Sequence, residues 1–564
     1  MQILKVLRLP FLLAVLLWPQ PLAAAGASPF ESIRPRRPRE APTSPSLFTL
    51  RPDVRYTAAQ IEAVLSRARN AWRNYLQLRP QLRTIDSREQ AFAQKAAALR
   101  AMTRAVERLL ANEKQSPTKE GVQTVADALT SLDHATIAVE YDCDRISLRI
   151  AQESLLPPDQ PFCVCLAPAF ARISPVGPTA CPPATEIAIS LAAGEAESFQ
   201  LVIVPYWQRL NGVRIEVGDL FRRDSIDRFR PDQIRLWLAE SVATTPTLGR
   251  TQFWADPLSP LRPFDLPATV SQTILVDIRA RKEQPAGLYE GHLTIRPENA
   301  RPTSITLQIV VRSFALPEGV PEVAFRAKNE SVQAQLAASP LSRFAREWQV
   351  FLAGRGLGLY RQSGPGDPAA GWLPWLSEQA LPSSETPTGD PKLPALVSCL
   401  AYRQAAWAAW NEQHRRDSGV RRWIVNGWVS LDLSTSEPAK RSTGPLVRNQ
   451  WTGKASDNPP GLIYMNSRGE PEPTIRLIAL RDGIEDFRYF DLLARKIAEA
   501  KDRNAAGWWK QRRWKRLLNL GSKLGDPKQA SLDIAVKMLE RREAVAKAIE
   551  QAQRCLEAEG NRKK

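Results

Sequence analysis

Histidine is scarce in this chain of 564 residues: His134, His292 and His414 are the only three, and they are far apart in sequence. Zinc sites and Ser-His-Asp triads depend on histidine, so both are disfavoured. After the first 20 residues, no apolar run approaches the roughly 20 residues needed to cross a bilayer. We therefore expect no metal site, no cofactor and no transmembrane span in the mature chain.

The first 27 residues are typical of a secretory signal peptide. Lys5 and Arg8 form a basic start, residues 9–18 are apolar, and alanines at 23–25 form a small-residue cleavage site. A short membrane anchor is the alternative, but the apolar stretch is short and two prolines close it. The sequence predicts an exported protein, periplasmic or extracellular.

Negative charge is in short supply, because 77 Lys and Arg stand against 59 Asp and Glu and leave a net charge of +18. An exported basic protein meets anionic lipids, envelope polymers and acidic glycans before it meets nucleic acid. We therefore expect a glycan or an anionic envelope polymer as partner, and no nucleic acid.

Six cysteines are present, and four of them lie close together in sequence: Cys143, Cys163, Cys165 and Cys181. In an oxidising compartment these four form up to two disulfides or remain buried thiols, and the sequence does not decide the pairing. Cys163 and Cys165 lack the C-x-x-C spacing of zinc and redox sites.

The N-terminal part of the mature chain combines a linker with helices. Residues 28–50 are rich in Pro, Arg and Ser and predict a disordered basic linker. Residues 51–155 form a helical region, with apolar residues at steps of three and four and a third helix over 121–138. This helical hairpin region either packs on its neighbours or recruits a protein partner.

The pattern then changes to short strands. Seven apolar or alternating runs, bounded by Pro, Gly and Asp, fall within 160–318 and predict an antiparallel β-sandwich. Residues 319–495 mix short buried runs with amphipathic stretches, and 496–564 form a basic helical tail. The predicted class is multidomain α+β: helical hairpin region, antiparallel β-sandwich, then a shortened or incomplete (β/α) barrel and a helical tail.

Several separated stretches carry a resemblance to a known family. They are LAAGEAESFQ at 191–200, DPL at 256–258, PAGLYEG at 285–291, FALP at 314–317 and IRLIALRDGIEDFRY at 475–489. In this order they resemble the glycoside hydrolase family 123-like proteins, including the C-terminal region named domain of unknown function 4091. The resemblance covers about 160–317 and 396 to the end.

The resemblance implies a β-sandwich followed by a (β/α)8 barrel that acts on amino sugars. Family enzymes resemble substrate-assisted N-acetylhexosaminidases, in which an adjacent Asp-Glu pair works with the acetamido group of the sugar. The Glu protonates the leaving oxygen, while the Asp orients the acetamido group. Such a pair would stand at the C-terminal end of a barrel strand.

The chain departs from this pattern in length. About 176 positions separate Pro317 from Leu493, whereas an eight-unit barrel takes about 250 residues. Much of the chain between Tyr360 and Trp423 is rich in Pro, Gly and Ser, which predicts no strands there. The units expected to hold the catalytic pair are therefore missing.

The chain has one adjacent pair of carboxylates, Glu485-Asp486, and it lies in an amphipathic helix. Neighbouring residues on a helix point about 100° apart, which favours a structural contact such as Arg481 to Glu485 over catalysis. We interpret five residues of the family motif as structural: Arg476, Arg481, Asp482, Glu485 and Asp486. Glu378, Glu385 and Asp390, in the shortened region, are weak candidates for a relocated acid/base pair.

Two further groups are candidates for binding. Trp423, Asn426, Trp428 and Tyr464 follow the last two apparent strands and either stack on a sugar or fill the space left by missing strands. Residues 508–516 interleave Trp with Lys and Arg, which favours a solvated basic helix face with buried tryptophans over contact with an anionic polymer. The Gly-rich stretch 354–358 lacks phosphate-loop spacing and is set aside.

Three functional hypotheses remain. The first is an exported, catalytically degenerate family 123-like protein that binds carbohydrate or envelope polymer. The second is an active glycosidase with relocated carboxylates, N-acetylhexosaminidase-like, and the third is a structural or assembly protein of the cell envelope. The first is preferred because the catalytic pair and the middle barrel units are missing.

Overall fold

The structure of the chain is a computed structural model with two compact units. It describes residues 48–51, 54–56, 58–82, 89–115, 119–152, 160–171, 173–176, 181–244, 252–268, 270–317, 322–327, 332, 335, 343–355, 357–359, 373–376, 399–416, 422–427, 429–431, 447–451, 462–466, 470–520, 524 and 532–562. The first unit contains residues up to 158 together with 176–183 and 245–252, and the second contains the remainder. The predicted signal peptide and the linker up to residue 47 lie outside the described residues.

Three helices make up most of the first unit. They are α1 (Ala58–Leu82), α2 (Glu89–Gln115) and α3 (Lys119–Gln152), and each packs against the other two. Helix α3 continues well beyond the predicted 121–138. It packs against both other helices, so the unit contains three packed helices rather than a two-helix hairpin. Buried residues such as Leu129 and Leu148 lie along its length.

A short antiparallel pair precedes the helices. Strand β1 (Phe48–Arg51) pairs with β2 (Val54–Tyr56). Residues 48–50 belong to β1, although the sequence assigns them to the disordered linker. Apolar residues at alternate positions, Phe48 and Leu50, fit a strand, and proline and arginine content alone does not reveal that pattern.

The second unit begins with strands that form two sheets. They are β3 (Phe162–Pro168), β4 (Glu186–Ala193), β5 (Ala196–Pro205), β6 (Leu210–Val217), β7 (Leu220–Arg222), β8 (Arg228–Phe229), β9 (Ile234–Thr244), β10 (Gln252–Pro260), β11 (Phe264–Leu266), β12 (Gln272–Arg279), β13 (Gly287–Arg296) and β14 (Thr303–Ala315). Sheet I has the order β10-β9-β12-β5-β3, and sheet II has the order β11-β6-β13-β14-β4 with β7 beside β13. Each of the seven predicted runs forms a strand, and the α+β class is confirmed.

The sequence predicts antiparallel pairing throughout these sheets, but two of the pairings are parallel. Strands β4 and β14 run parallel, with Ile187 opposite Leu307. A strand from the C-terminal part, β20 (Val447–Trp451), joins sheet I parallel to β9. Strand direction depends on the path of the long connections, which the alternation of apolar residues does not encode.

Sheet I uses both faces. On β12, Ile274, Val276 and Ile278 are fully buried on one face. On the other face, Leu275 belongs to the core shared with the C-terminal helices, and Asp277 follows it two residues later. The face of sheet I that is covered by helices therefore carries an acidic side chain, Asp277.

Short parallel strands follow the two sheets. Strands β15 (Glu322–Ala327), β16 (Gly358–Leu359), β17 (Leu373–Leu376) and β18 (Arg422–Gly427) form a parallel sheet in the order β16-β15-β18-β17. A smaller sheet contains β19 (Val429–Leu431), β21 (Ile463–Met465) and β22 (Pro471–Glu472). Strand β17 corrects the prediction of a strandless stretch after Tyr360. Within the described ranges the parallel sheet does not close into a barrel, and the incomplete barrel stays a prediction.

Five helices of the second unit lie within the described ranges. They are α4 (Arg343–Ala353), α5 (Cys399–Arg416), α6 (Ile475–Asp502), α7 (Trp508–Leu518) and α8 (Leu532–Arg562). Helix α6 is in contact with β5, α5, α7 and α8. Thr474 caps it, since its hydroxyl accepts a 3.0 Å hydrogen bond from the backbone N–H of Leu477.

Helix α6 is buried on all sides over its first half. Every residue from 475 to 487 is buried, including Arg476, Asp482 and Asp486. The predicted apolar stripe is therefore only part of its packing, because strands and helices enclose the remaining faces. Gly483 makes this possible: a Cβ at this position would lie 2.7 Å from the carbonyl oxygen of Arg403 on α5.

The clustered cysteines are thiols in this structure. Cys143, Cys163, Cys165 and Cys181 are free and buried, the second of the two alternatives that the sequence leaves open. The sulfur atoms of Cys163 and Cys165 are 3.9 Å apart. Burial raises the pKa of the Cys143 thiol to about 12, so it remains protonated. None of the described helices combines the length and apolarity that a membrane crossing requires.

Candidate functional site

The family-like motif of α6 is connected to sheet I through ion pairs. Arg476 donates from Nε and Nη2 to the two carboxylate oxygens of Asp256, at 3.0 and 2.7 Å. Both side chains are buried, and the backbone N–H of Leu258 donates to the carbonyl of Pro473 at 2.9 Å. Two separate stretches of the resemblance, DPL and the α6 motif, therefore meet at this point.

Asp486 accepts three hydrogen bonds and is ion-paired with one further guanidinium. Arg403 of α5 donates to it from Nε and Nη2 at 2.7 and 2.9 Å, and the indole N–H of Trp407 donates at 2.9 Å. Nε of Arg542, on α8, lies 3.1 Å from the same carboxylate. The carboxylate raises the pKa of Arg403 against the opposing effect of burial. Asp486 thus joins three helices and has no open side for a substrate.

Arg481 connects α6 to sheet I. Its guanidinium donates to Asp277 and to Asp482 at 2.7 Å each, and to the hydroxyl of Ser198 at 2.9 Å. Burial would raise the pKa of Asp277, but the charge and hydrogen bonds of Arg481 and Ser198 lower it below the usual value. Asp277 is therefore held as a carboxylate. The predicted (i, i+4) contact is present too, with Nε of Arg481 3.9 Å from Glu485.

Two glutamates complete this network. Glu195, in the LAAGEAESFQ stretch, accepts from the hydroxyl of Tyr489 at 2.6 Å and is paired with Arg542. Glu485 accepts from the backbone N–H of Ala196 at 3.2 Å. Burial raises the pKa of Glu485 to about 8, against the opposing charge of Arg481. We call these twelve residues the buried ion network: Glu195, Glu197, Ser198, Asp277, Arg403, Trp407, Arg481, Asp482, Glu485, Asp486, Tyr489 and Arg542.

The buried ion network has the character of a structural element. Three guanidinium groups face six carboxyl groups, and each guanidinium is paired with at least one carboxylate from another strand or helix. Burial raises the pKa of Asp482 to about 7 and that of Glu485 to about 8, so protonation reduces the excess of negative charge. The five motif residues Arg476, Arg481, Asp482, Glu485 and Asp486 are all buried. That these five residues have a structural role remains a prediction. Such a role requires buried side chains, and all five are buried.

A cavity of about 810 Å³ lies beside this network. Its floor is the helix-facing side of sheet I, with Arg235 and Trp237 on β9 and Asp277 and Arg279 on β12. In the register of the sheet, Arg235 lies opposite Asp277. Helix α4 and the two residues after it form one wall, the segment around β22 forms another, and Arg481 reaches the floor from α6. The volume is within the usual range for small-molecule sites.

Five carboxylates line the cavity, namely Asp232, Asp277, Glu347, Glu470 and Glu472, and at least three of them have partners among the described residues. Asp232 accepts from Arg281 at 2.7 and 3.0 Å, and Asp277 is bound by Arg481. Glu470 accepts from the side-chain amide of Asn466 at 3.0 Å. Among the described residues, no carboxylate lies within 4.0 Å of three lining arginines: Arg235, Arg279 and Arg355. The cavity therefore holds guanidinium groups without a bound acidic partner.

Arg355 is the most confined of these arginines. Its side chain is 8 % exposed, its Nη1 donates to the carbonyl of Phe351 at 2.7 Å, and the guanidinium lies 3.9 Å from the ring centre of Phe351. Burial lowers its pKa to about 9; Asp277 opposes this effect, and Arg481, Arg235 and Arg279 add to it. Desolvation and like charges thus both favour binding of a negative group here.

The predicted catalytic candidates Glu378, Glu385 and Asp390 lie outside the described residues. Trp428 does too, while Trp423 and Asn426 are described only as parts of strand β18. Of the predicted sugar-binding set, the side chain of Tyr464 alone is described. It is 1 % exposed and packs with Val242 and Trp254, and the choice between sugar stacking and packing stays a prediction.

The basic segment of α7 differs in part from its preferred interpretation. Trp514 is buried, but Trp508 and Trp509 are 57 % and 65 % exposed and stack on each other at 4.2 Å. The guanidinium of Arg512 lies 5.9 Å from the ring centre of Trp508. The spacing of apolar residues predicts a helix here, but it does not show that the first turn of this helix is exposed to solvent.

Sequence reasoning missed the residues of the cavity. Arg355 belongs to the Gly-rich stretch that was set aside for lacking phosphate-loop spacing. Arg235 and Trp237, like Asp277 and Arg279, stand two residues apart in strands, which places each pair on one face of the sheet. Charged residues at this spacing inside an apolar strand could have indicated a polar site on one face of the sheet. Within the described residues, no group of three or more His, Cys, Asp or Glu side chains is suited to hold a metal ion.

Comparison with known proteins yields distant similarity only. No protein-family model matches the chain, and no curated protein matches it. Among solved structures, a family 123 glycoside hydrolase from Clostridium perfringens, studied for glycolipid glycan hydrolysis, is similar at 9 % identity and a TM-score of 0.48. The similarity covers 70 % of this chain and 99 % of that one.

Smaller domains give weaker similarity. The PapD-like domain 7 of human CEP192 has 10 % identity and a TM-score of 0.16, over 28 % of this chain and 88 % of that one. The N-terminal domain of PorA has 10 % identity and a TM-score of 0.15, over 27 % of this chain and 99 % of that one. At these values, the similarity establishes neither family membership nor activity.

Proposed function

We propose that this chain is an exported, glycoside hydrolase-like protein that binds a glycan or an anionic envelope polymer and does not cleave it. The observation that carries the proposal is the cavity between sheet I and α4, where arginines without acidic partners stand beside Trp237. Aromatic faces pack on sugar rings, and arginine side chains bind oxygen-rich polar groups. The net charge of +18 favours an anionic polymer as partner.

The absence of cleavage is inferred from the state of the acidic groups. Glycoside hydrolysis needs a carboxylic acid that protonates the leaving oxygen, and it needs that acid within reach of the substrate. The one adjacent pair, Glu485-Asp486, is enclosed in the buried ion network. On the cavity floor, Asp277 is held ionised by Arg481, so it is a poor proton donor.

The test measures binding and turnover on the same purified full-length chain. A panel of neutral and acidic polysaccharides is examined by calorimetry, and hydrolysis of an aryl N-acetyl-hexosaminide is followed by release of the aryl group. We expect binding to a member of the panel, a loss of about tenfold or more in Trp237→Ala because a stacking face is removed, and no turnover. Phe221→Ala is the matched control, since Phe221 is an exposed aromatic residue on sheet II that does not line the cavity.

The second functional hypothesis gives a different result in the same assay. Turnover by the wild type that disappears in a Glu378→Gln, Glu385→Gln and Asp390→Asn triple variant would identify an active glycosidase with relocated carboxylates and overturn the proposal. The third hypothesis, an assembly protein that recruits a partner through the N-terminal helices, predicts that deletion of 51–155 reduces complex size in native gels. Glycan binding unaffected by that deletion supports the proposal over the assembly role.

A further inference from the structure

We infer that Arg235, Arg279 and Arg355 form an oxyanion subsite in the cavity that binds the carboxylate of an acidic saccharide. The inference rests on the proposed function, because it specifies which chemical group of a bound glycan these arginines hold. The charges around Arg355 favour an anion. The groups that act most strongly on Arg355 are one carboxylate, Asp277, and three further arginines.

Asp277, the carboxylate that acts most strongly on Arg355, is already paired with another arginine. Asp277 accepts from Nη1 of Arg481 at 2.7 Å and from the hydroxyl of Ser198 at 2.8 Å. The remaining positive charge belongs to Arg235, Arg279 and Arg355, and none of them has a carboxylate within 4.0 Å among the described residues. Several guanidinium groups that face one cavity repel each other, and a bound anion relieves that repulsion.

Hydrogen bonding also favours an anion. Nε of Arg355 and the indole N–H of Trp237 are buried and have no hydrogen-bond partner in the described part of the chain. Both residues line the cavity, and both atoms are donors. A buried donor without an acceptor is costly, so the site needs acceptor oxygens. A neutral sugar hydroxyl both donates and accepts, whereas a carboxylate accepts only, which suits these two donors.

The geometry of the arginines suits a carboxylate. Arg355 is held in place, because its Nη1 donates to the carbonyl of Phe351 and its plane lies over the ring of that residue. Arg279 donates to the carbonyl of Gly354, one residue before Arg355, which ties the floor of the cavity to its wall. A planar guanidinium held in place matches the two oxygens of a carboxylate. Arg235 is exposed and lines the same cavity, so it supplies charge at the entrance.

The experiment compares tetragalacturonate with its fully methyl-esterified form, which has the same sugar backbone without the charge. Binding to the full-length chain is measured by calorimetry at low and at physiological ionic strength. We expect the acid form to bind about tenfold or more tightly than the ester, as one charge-assisted pair provides. This preference should decrease as salt is added.

Two variants locate the preference in the subsite. Arg235→Gln removes an exposed charge and leaves the buried packing intact, and Arg355→Lys retains the charge but loses the planar fork. In both variants, the ratio of the affinity for the acid form to the affinity for the ester should fall to near one. Arg296→Gln is the control with the same change in net charge, because Arg296 lies on sheet II, paired with Glu216 and away from the cavity.

The outcomes separate this inference from the proposed function. Equal affinity for acid and ester would overturn the oxyanion subsite and leave glycan binding standing. A preference unchanged in Arg235→Gln, or lost equally in Arg296→Gln, would overturn the assignment to these arginines. Absence of binding to both forms, and to the wider panel, would overturn both proposals. Chondroitin is compared with chondroitin sulfate as a second arm, and dependence on the sulfate alone would overturn the carboxylate assignment.

Discussion

The buried ion network and the cavity both contain buried or partly buried arginines, but within the described residues only those of the network are paired with carboxylates. In the network, Arg403, Arg481 and Arg542 are each bound by carboxylates from other strands or helices. In the cavity, Arg235 and Arg355 have no carboxylate within 4.0 Å among the described residues. An arginine with its charge matched inside the fold stabilises the fold, and one left unmatched at a cavity is available for a ligand. The state of the partner, rather than the residue type, distinguishes the two roles.

The largest effect is expected where a matched pair is broken. Arg403→Met removes two hydrogen bonds to Asp486 and leaves a buried carboxylate with fewer partners. We expect the free energy of unfolding to fall by about 3–5 kcal/mol, as for other buried pairs that lose one member. Urea denaturation followed by tryptophan fluorescence measures it. Arg296→Met, which breaks an exposed pair with Glu216, is the control and should cost at most about 1 kcal/mol; equal losses in both variants would contradict the comparison.

The close approach of α5 and α6 that allows this pairing gives the next prediction. In Gly483→Ala, the added Cβ would lie 2.7 Å from the carbonyl oxygen and 3.0 Å from the Cα of Arg403. We expect a loss of about 1–3 kcal/mol in the free energy of unfolding, although alanine is the better helix former. Gly560→Ala, in α8 with nothing within 4 Å, is the control and should not destabilise. Stabilisation by Gly483→Ala would show that the helices are not in contact there.

Glu485 makes the network sensitive to pH. Burial raises its folded-state pKa to about 8 from an ordinary value of 4.5, so the folded chain holds a proton that the unfolded chain releases within this range. The free energy of unfolding should therefore decrease as pH rises from about 4.5 to about 8, by up to about 1.4 kcal/mol per pH unit.

The matched variants are Glu485→Gln, which resembles the protonated acid, and Glu290→Gln on the exposed pair with Arg223. Stability measured between pH 5 and pH 8 should lose this part of its slope in the first variant and keep it in the second. An unchanged slope in Glu485→Gln would mean that Glu485 is ionised in the folded chain.

The smallest effect is expected when a carboxylate is supplied to the cavity wall. Val350 lines the cavity and is 74 % exposed, so Val350→Glu should fold normally. The new charge would compete with an acidic ligand, and we expect the affinity for tetragalacturonate to fall about threefold, in the range of one partly screened surface charge. Val350→Gln is the matched control of equal size. Tighter binding in Val350→Glu would be incompatible with an anionic ligand.

Much of the fold could be predicted from the sequence, because helices and strands have different periods. The seven runs between Glu186 and Leu316 alternate or are solidly apolar, and each is a strand. Strand β17 could not be predicted from its neighbours, since Pro374 and the surrounding Pro and Gly indicate a loop. Its pairing with β18 depends on tertiary contacts that lie outside any local window.

The site was less predictable than the fold. The motif of α6 pointed to residues that prove to be buried, because a motif shows which residues belong together and not whether they face solvent. Arg355 gave no local signal, since its importance comes from Arg235 and Arg279, more than 70 positions earlier. Cations and anions are interspersed throughout the sequence, so the sequence does not show which arginines lack a nearby carboxylate in the folded chain.

The pairing of Glu195 with Arg542 spans 347 positions, so it forms only after α8 has been synthesised. Every sheet strand up to Ala315 leaves the ribosome before α8 is made. A chain that ends before α8 would keep those strands yet leave Glu195 and Glu197 without their guanidinium. The last helix therefore stabilises strands at the beginning of the second unit, because it supplies the cation that their buried carboxylates require.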